Sequence, residues 1–385
     1  QYGNSNEKSH YAALGGDLQG AKQVNLRGGD RPADVYTGVA ELVIEQLNRR
    51  AEEGDPTAQL LRGKVTRKVV KQTVMTTVYG VTFIGAKNQV MRQLADRGDV
   101  PAEELWSAAS YLAKVIMDCI GNLFSGANLI QDWLTVSARL IAKSIPPERI
   151  AQAQLRTDKA GKRSSSTREG REQMTSVIWT SALALPVVQP YRKIKKHQIT
   201  TAVQSVYIRD PNQNYEVNPS KQASAFPPNF IHSLDATHMF LTALECHSAG
   251  LVFASVHDSY WTHACDIDTM SDIIRDTFVR LHSQDILVRL RDEFLQRYKG
   301  YKIPASSLAY TKAKVARARA EEPAESDAVE AGAEDAEPVL GDLASLSQCD
   351  QEPDENGFYN LADLLPTIPK KGGFDVSEIK RSLYF

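Results

Sequence analysis

Cysteine is scarce in this chain of 385 residues, with four in all: Cys119, Cys246, Cys265 and Cys349. No two are spaced as C-x-x-C, so neither a disulfide framework nor a zinc site is supported, and reduced thiols are expected. Cys265, close to Asp266 and Asp268, reads as incidental rather than as a ligand. No run of about 18 uninterrupted apolar residues occurs, which argues against a membrane-spanning helix. No methionine opens the chain; it starts at Gln1, so a fragment is expected and no targeting peptide can be read. Lys and Arg are missing from 321–355, where thirteen Asp and Glu fall. Setting those thirteen aside from the 47 acids leaves 34 against 45 basic residues, so the formal −2 hides a remainder of +11. That excess is compatible with a polyanionic partner without requiring one.

What is present is an ordinary globular composition, 42% apolar and 24% charged, long enough for two or three domains. Val35, Val39, Leu42, Val43 and Leu47 recur at helical spacing within 32–53. Further helices are predicted over about 57–79, 101–144, 229–249 and 266–298, the last burying Leu281, Ile286, Leu287, Leu290 and Phe294. The β-branched, Pro-punctuated residues 175–191 predict two short strands, and "LVFASVHDSYWTHA" (251–264) a hairpin with His257-Asp258-Ser259 at its tip. Trp133 and Trp261 are expected in the core. The Ser-rich basic stretch 154–173 reads as an exposed loop, and 321–355 as a flexible insertion before the chain regains apolar character at Phe358. Strands around a helical middle suggest an α+β protein with an inserted helical subdomain.

The chemistry concentrates in "VTRKVVKQTVMTTVYG", residues 65–80. On a helix Arg67, Lys71, Met75 and Tyr79 fall four apart and form a slowly rotating stripe. Lys71 and Tyr79 would lie about 12 Å apart along the axis, the order of the reach from a nucleotide's phosphates to its sugar. Two cations suit a triphosphate. A phenol followed by the permissive Gly80 suits a ribose or base pair. A solvated basic helix with a core tyrosine is the plainer alternative. His232, Asp235 and His238 could be mistaken for metal ligands, but their spacing puts His238 about 120° from His232, as for separate hydrogen-bonding groups.

This motif resembles the fingers helix of the single-subunit RNA polymerases of bacteriophage and mitochondria, nearest the fungal mitochondrial type. "HYAALGGD" (10–17), "LIQDWL" (129–134), "PPNFIHSLDATHM" (227–239) and "SVHDSYWTHA" (255–264) follow in that family's order. The resemblance implies a right-hand polymerase fold without thumb or N-terminal domain. Palm parts would occupy 1–30, 226–300 and 358–385, fingers 31–225, and a disordered acidic insertion 301–357. It implies template-directed nucleotidyl transfer from NTPs to an RNA 3′ end, with Mg²⁺ as cofactor and the DNA template and nascent RNA as partners. A mitochondrial initiation factor would act through parts this chain lacks, and mitochondrial residence follows by resemblance only. Asp258 matches a metal-binding palm aspartate, held by the hairpin's apolar arms, and His257 is its neighbour. Lys71 matches the lysine that meets the triphosphate and serves as general acid, and Arg67 a phosphate-binding arginine. Tyr79, assisted by His232, matches the tyrosine that favours ribose. Met75 stands where related DNA polymerases carry an aromatic, which favours RNA synthesis.

One element departs from the family. Its first palm aspartate opens a motif Asp-Gly-Ser/Thr-Cys-x-Gly-Leu/Ile-Gln directly before the histidine aligned with His10. Here "YGNSNEKS" stands in its place, with Tyr2 at the aspartate and neither the second glycine nor the glutamine. Two-metal chemistry needs two carboxylates, so the isolated chain is expected not to polymerise. The alternatives are a catalytically silent nucleic-acid-binding remnant and a DNA polymerase of related fold.

Overall fold

The computed structural model of the chain describes residues 6–29, 32–150, 174–193, 196–201, 203–208, 216–256, 259–305, 307–308, 353–355 and 357–382. Its first half is helical: α1 (Asn6–Gly15), α2 (Leu18–Gln23), α3 (Val35–Glu52), α4 (Pro56–Leu61), α5 (Arg67–Thr77), α6 (Phe83–Arg97), α7 (Leu105–Leu123) and α8 (Ser125–Lys143). Two antiparallel hairpins follow, β1 (Ile178–Thr180) with β2 (Pro186–Val188) and β3 (His197–Thr200) with β4 (Ser205–Ile208). The long α9 (Pro219–Ser248) leads into the hairpin of β5 (Ala254–Val256) and β6 (Ser259–Trp261). Next come α10 (Ile267–His282) and α11 (Ile286–Arg297). β7 (Lys302–Pro304) pairs antiparallel with β8 (Phe358–Asn360), followed by α12 (Leu361–Leu364) and a 3₁₀ turn at Val376–Arg381. Among the described residues this is a mainly helical α+β architecture whose sheets are all two-stranded and lie beyond residue 177.

Local chemistry accounts for most element starts. Asp34 accepts from the Tyr36 amide at the head of α3, and Asp55 from those of Thr57 and Ala58 at the head of α4. The expected helix 57–79 is two helices, because the chain between α4 and α5 turns through Gly63 at φ 74°. The helices expected over 101–144 and 266–298 are also divided, at Phe124 and at Ser283–Asp285. α9 starts ten residues earlier than expected: Asn218 accepts from the Lys221 amide and Pro219 opens the first turn. Pro227 and Pro228 therefore lie inside the helix and withhold two amide donors there.

Two apolar clusters hold the molecule. One gathers α3, α5, α6 and α7 around Val39, Val70, Val90 and Ile116 and takes in Phe374, Val376 and Ile379 from the C-terminal segment. The other joins α8, α9, α11 and β1 through Trp133, Leu134, Trp179, Phe226 and Phe294. α1 packs against both α8 and α9. The C-terminal segment is strapped to its end, the Gly372 amide donating to Gly15 O (2.7 Å) and the Phe374 amide to Gly16 O (3.0 Å). Trp133 is buried as expected and donates to Pro366 O at 3.1 Å. Trp261 is not in the core; it is 49% exposed, on a three-residue strand that pairs only with β5.

Loop 154–173 lies outside the described residues, as do 321–352 of the acidic stretch. Within the stretch 301–357, Lys302–Pro304 forms β7 and Lys302 Nζ pairs with Asp354 at 2.6 Å.

Candidate functional site

The stripe on α5 forms as the spacing implies. Val69, Val70, Thr73 and Val74 face the core, while Arg67, Lys71, Met75 and Tyr79 are all exposed. Tyr79 sits just past the last helical turn. Gly80, at φ 73°, ends α5 by sending its amide to Thr77 O (3.0 Å) and that of Val81 to Thr76 O (3.1 Å), a Schellman stop. Gly80 thus fixes where the Tyr79 ring leaves the helix.

At the other end of the stripe both cations converge on Tyr36. The Arg67 guanidinium lies 5.0 Å and the Lys71 Nζ 5.9 Å from its ring centroid. Arg67 is also paired with Asp34, Nε to Oδ2 at 2.6 Å. Burial alone would raise the Asp34 carboxyl; bonds from Arg67 and Thr37 hold it below the usual range. Lys71 carries no ion pair with a described carboxylate.

Tyr79 meets α9 across the fold. Its ring and that of His232 stand edge to face, centroids 5.6 Å apart. Between them lies Glu7 of α1, which the sequence reading missed: the Tyr79 hydroxyl donates to Glu7 Oε1, and His232 Nε2 is 3.5 Å from the same oxygen. Burial pushes the Glu7 carboxyl up, but the bonds from His232 and Tyr79 prevail and lower it to about 2. The same carboxylate raises His232 above its ordinary value, with Asp235 adding to the effect. One turn further along both helices His10 Nε2 faces Asp235 Oδ1 at 3.7 Å. α1 and α9 thus face each other through two carboxylate–imidazole contacts, spaced three residues apart on each helix: Glu7 with His232, and His10 with Asp235.

The inner contact continues into the core. His10 Nδ1 and His282 Nε2 are 2.7 Å apart, and Phe278 stacks between His282, His10 and His238. His238 bonds Ile274 O at 3.0 Å, and burial together with His10 lowers it to about 4. His232 is 49% exposed and His238 4%, the separation that the helical angle predicts. A groove of about 350 Å³, lined by Trp179, Val187, Gln189, Tyr191, Asn229 and Phe240, opens beside His232.

His257 and Asp258, at the tip of the β5–β6 hairpin, lie outside the described residues, as does Tyr2. The arms of that hairpin are not the buried anchors expected: Val252, Val256 and Trp261 are each 49% exposed or more. Three-residue strands with alternating faces cannot bury both sides of a lone hairpin. The arms are tied instead by Thr262 Oγ1 donating to Val252 O (2.7 Å) and by Phe253 against Tyr260. Among the described residues no group of three or more His, Cys, Asp or Glu is placed to hold a metal ion. The resemblance assigns its two metal-binding carboxylates to Asp258 and to position 2, where this sequence has Tyr2, and on that alignment the residues present do not fit a two-Mg²⁺ site.

The family pattern for DNA-dependent RNA polymerase matches residues 1–385. The mitochondrial DNA-directed RNA polymerase of Schizosaccharomyces pombe is 47% identical over 309 residues, 80% of this chain and 25% of that protein. That of Neurospora crassa is 45% identical over 322 residues, 78% of this chain and 23% of that protein. The human mitochondrial enzyme is 38% identical over 388 residues, 100% of this chain and 25% of that protein. The chain thus spans about a quarter of the length of these relatives. With a match along its whole length and relatives at these identities, it belongs to the DNA-dependent RNA polymerase family.

Proposed function

We propose that the chain is the palm-and-fingers part of a mitochondrial DNA-directed RNA polymerase and that α5 and α9 together receive the incoming NTP. The observation that carries this reading is the exposed α5 stripe, cationic at Arg67 and Lys71 and aromatic at Tyr79, which ends against His232. Lys71 meets the triphosphate and donates a proton to the leaving pyrophosphate. Arg67, already sharing its charge with Asp34, orients rather than neutralises the phosphates. Tyr79 and His232 contact the ribose, and Met75 lies between sugar and phosphate positions. The DNA template and nascent RNA are its partners, and Asp258 serves the RNA 3′ end.

ATP binding to the purified chain tests this directly. Lys71→Ala should weaken ATP about tenfold, the loss expected for one charge-assisted phosphate contact. An affinity unchanged in that variant would refute the assignment of α5.

One observation favours a second reading. With Tyr2 where the family has aspartate, a silent nucleic-acid-binding remnant of the same fold accounts for the missing carboxylate. Template-dependent ribonucleotide incorporation by the purified chain, lost in Asp258→Ala, would exclude it. Sequencing the transcript upstream of the His10 codon separates the two at source: a codon for aspartate at position 2 restores the pair.

A further inference from the structure

Glu7 is the one member of the Tyr79–His232 group that neither spacing nor resemblance pointed to. The motif that this stretch resembles has glycine at the corresponding position, where this chain has Glu7. Its side chain is 20% exposed, whereas His232 is 49% and Tyr79 44% exposed. Glu7 therefore lies deeper than the other two, seen from solvent.

This placement constrains how the pair can bond. An ionised carboxylate only accepts, so the Tyr79 proton is committed to Glu7 and the phenol oxygen can meet a ligand only as acceptor. An imidazole paired with a carboxylate through Nε2 keeps a second ring nitrogen, and when cationic it donates from both. A ribose 2′-hydroxyl has one proton to give and lone pairs to receive, which matches an acceptor beside a donor. A 2′-deoxyribose offers neither and would leave both groups unsatisfied.

We propose that Glu7 is a positioning residue for ribose recognition: by accepting from Tyr79 and pairing with His232, it sets one as acceptor and the other as donor for a 2′-hydroxyl. The proposal rests on the reading of Tyr79 and His232 as the ribose-facing pair. The charged groups facing His232 are Glu7 from α1 and Asp235 from its own helix, with the Tyr79 phenol opposite. One turn away on both helices His10 Nε2 faces Asp235 Oδ1 at 3.7 Å.

The test compares the affinities of ATP and 2′-dATP for the full 385-residue chain, together with an NMR titration of the His232 ring. The wild type should favour ATP by about tenfold, and Glu7→Gln should remove most of that preference while leaving 2′-dATP affinity within about twofold. In the same variant the His232 midpoint should fall, and Glu7→Asp should restore part of both effects. Preference lost in Tyr79→Phe but kept in Glu7→Gln overturns the role of Glu7 and leaves the ribose reading standing. Equal binding of ATP and 2′-dATP by the wild type overturns the ribose reading and the proposal with it. A wild-type His232 that titrates at or below an ordinary histidine overturns the proposal without recourse to any variant.

Discussion

Replacing Lys8 by leucine should stabilise the chain by an amount that shrinks as pH rises. Lys8 is 4% exposed in α1, its Nζ 5.4 Å from the Phe124 ring centroid and 5.7 Å from that of Tyr36, with no hydrogen-bond partner among the described residues. Burial lowers its ammonium from 10.5 to about 7, against the opposing pull of Glu7. A lysine so depressed is protonated in the unfolded chain and neutral in the folded one between these values, so stability rises with pH across that window. At about 1.36 kcal/mol per pH unit, the drop from 10.5 to about 7 makes the full cost about 5 kcal/mol below pH 7. About 4 kcal/mol of it remains at pH 7 and about 2 kcal/mol at pH 9. Losing two cation–π contacts offsets part of the gain, at about 1 kcal/mol each. The net at neutral pH is thus about 2 kcal/mol in favour of leucine. The difference between the two pH values is the firmer quantity, because packing changes cancel in it. Urea midpoints of wild type and Lys8→Leu, followed by circular dichroism at pH 7 and pH 9, measure it. A gap that does not change with pH, or a leucine variant less stable at pH 7, would refute the argument.

Gly372→Ala should destabilise by about 1–3 kcal/mol in thermal unfolding, since a Cβ there would run into the Gly16 carbonyl to which the C-terminal strap is bonded. His238, lowered by burial to about 4, should make the fold acid-labile: its stabilising share is whole above pH 6.5 and lost as pH falls towards 4, about 3 kcal/mol in all. The slope of urea midpoint against pH in that window should flatten in His238→Asn, and an unchanged slope would assign the lability elsewhere. Deleting residues 311–350 should leave the circular dichroism spectrum unchanged and raise the urea midpoint slightly, by on the order of 1 kcal/mol of loop-closure entropy. Extending the deletion through 355 should cost stability, because it removes Asp354, the partner of Lys302 and acceptor for the Phe358 amide.

Local signals explain which elements could be read in advance. α3 was legible because one apolar stripe runs its length behind an Asp cap. The break between α7 and α8 was missed although Gly121 and Gly126 flank it, because Phe124 itself is apolar and buried and the apolar period runs on across it. α6 carried signals that were there to use: Thr82 accepts from the Gly85 amide at its head, and Gly98 closes it in the left-handed region. α9 misled in the other direction, since two consecutive prolines ordinarily end a helix rather than sit inside one. The pairing of β7 with β8 was beyond any local reading, because the acidic stretch separates them in sequence.

The site divides along the same line. Arg67, Lys71, Met75 and Tyr79 share one helix and its stop, so a period of four suffices to group them. Glu7 lies 72 positions from Tyr79 and reaches it only because α1 is wedged between α8 and α9. Spacing still held half of that answer. Glu7 and His10 are three apart, as are His232 and Asp235, and each pair presents an acid and an imidazole on one helical face. Set side by side, the two faces bring acid opposite imidazole at both positions in only one polarity, which is the arrangement found. The complementarity was written in two short stretches, but which helix would face which was decided by the apolar packing of α1, and that is a property of the whole core.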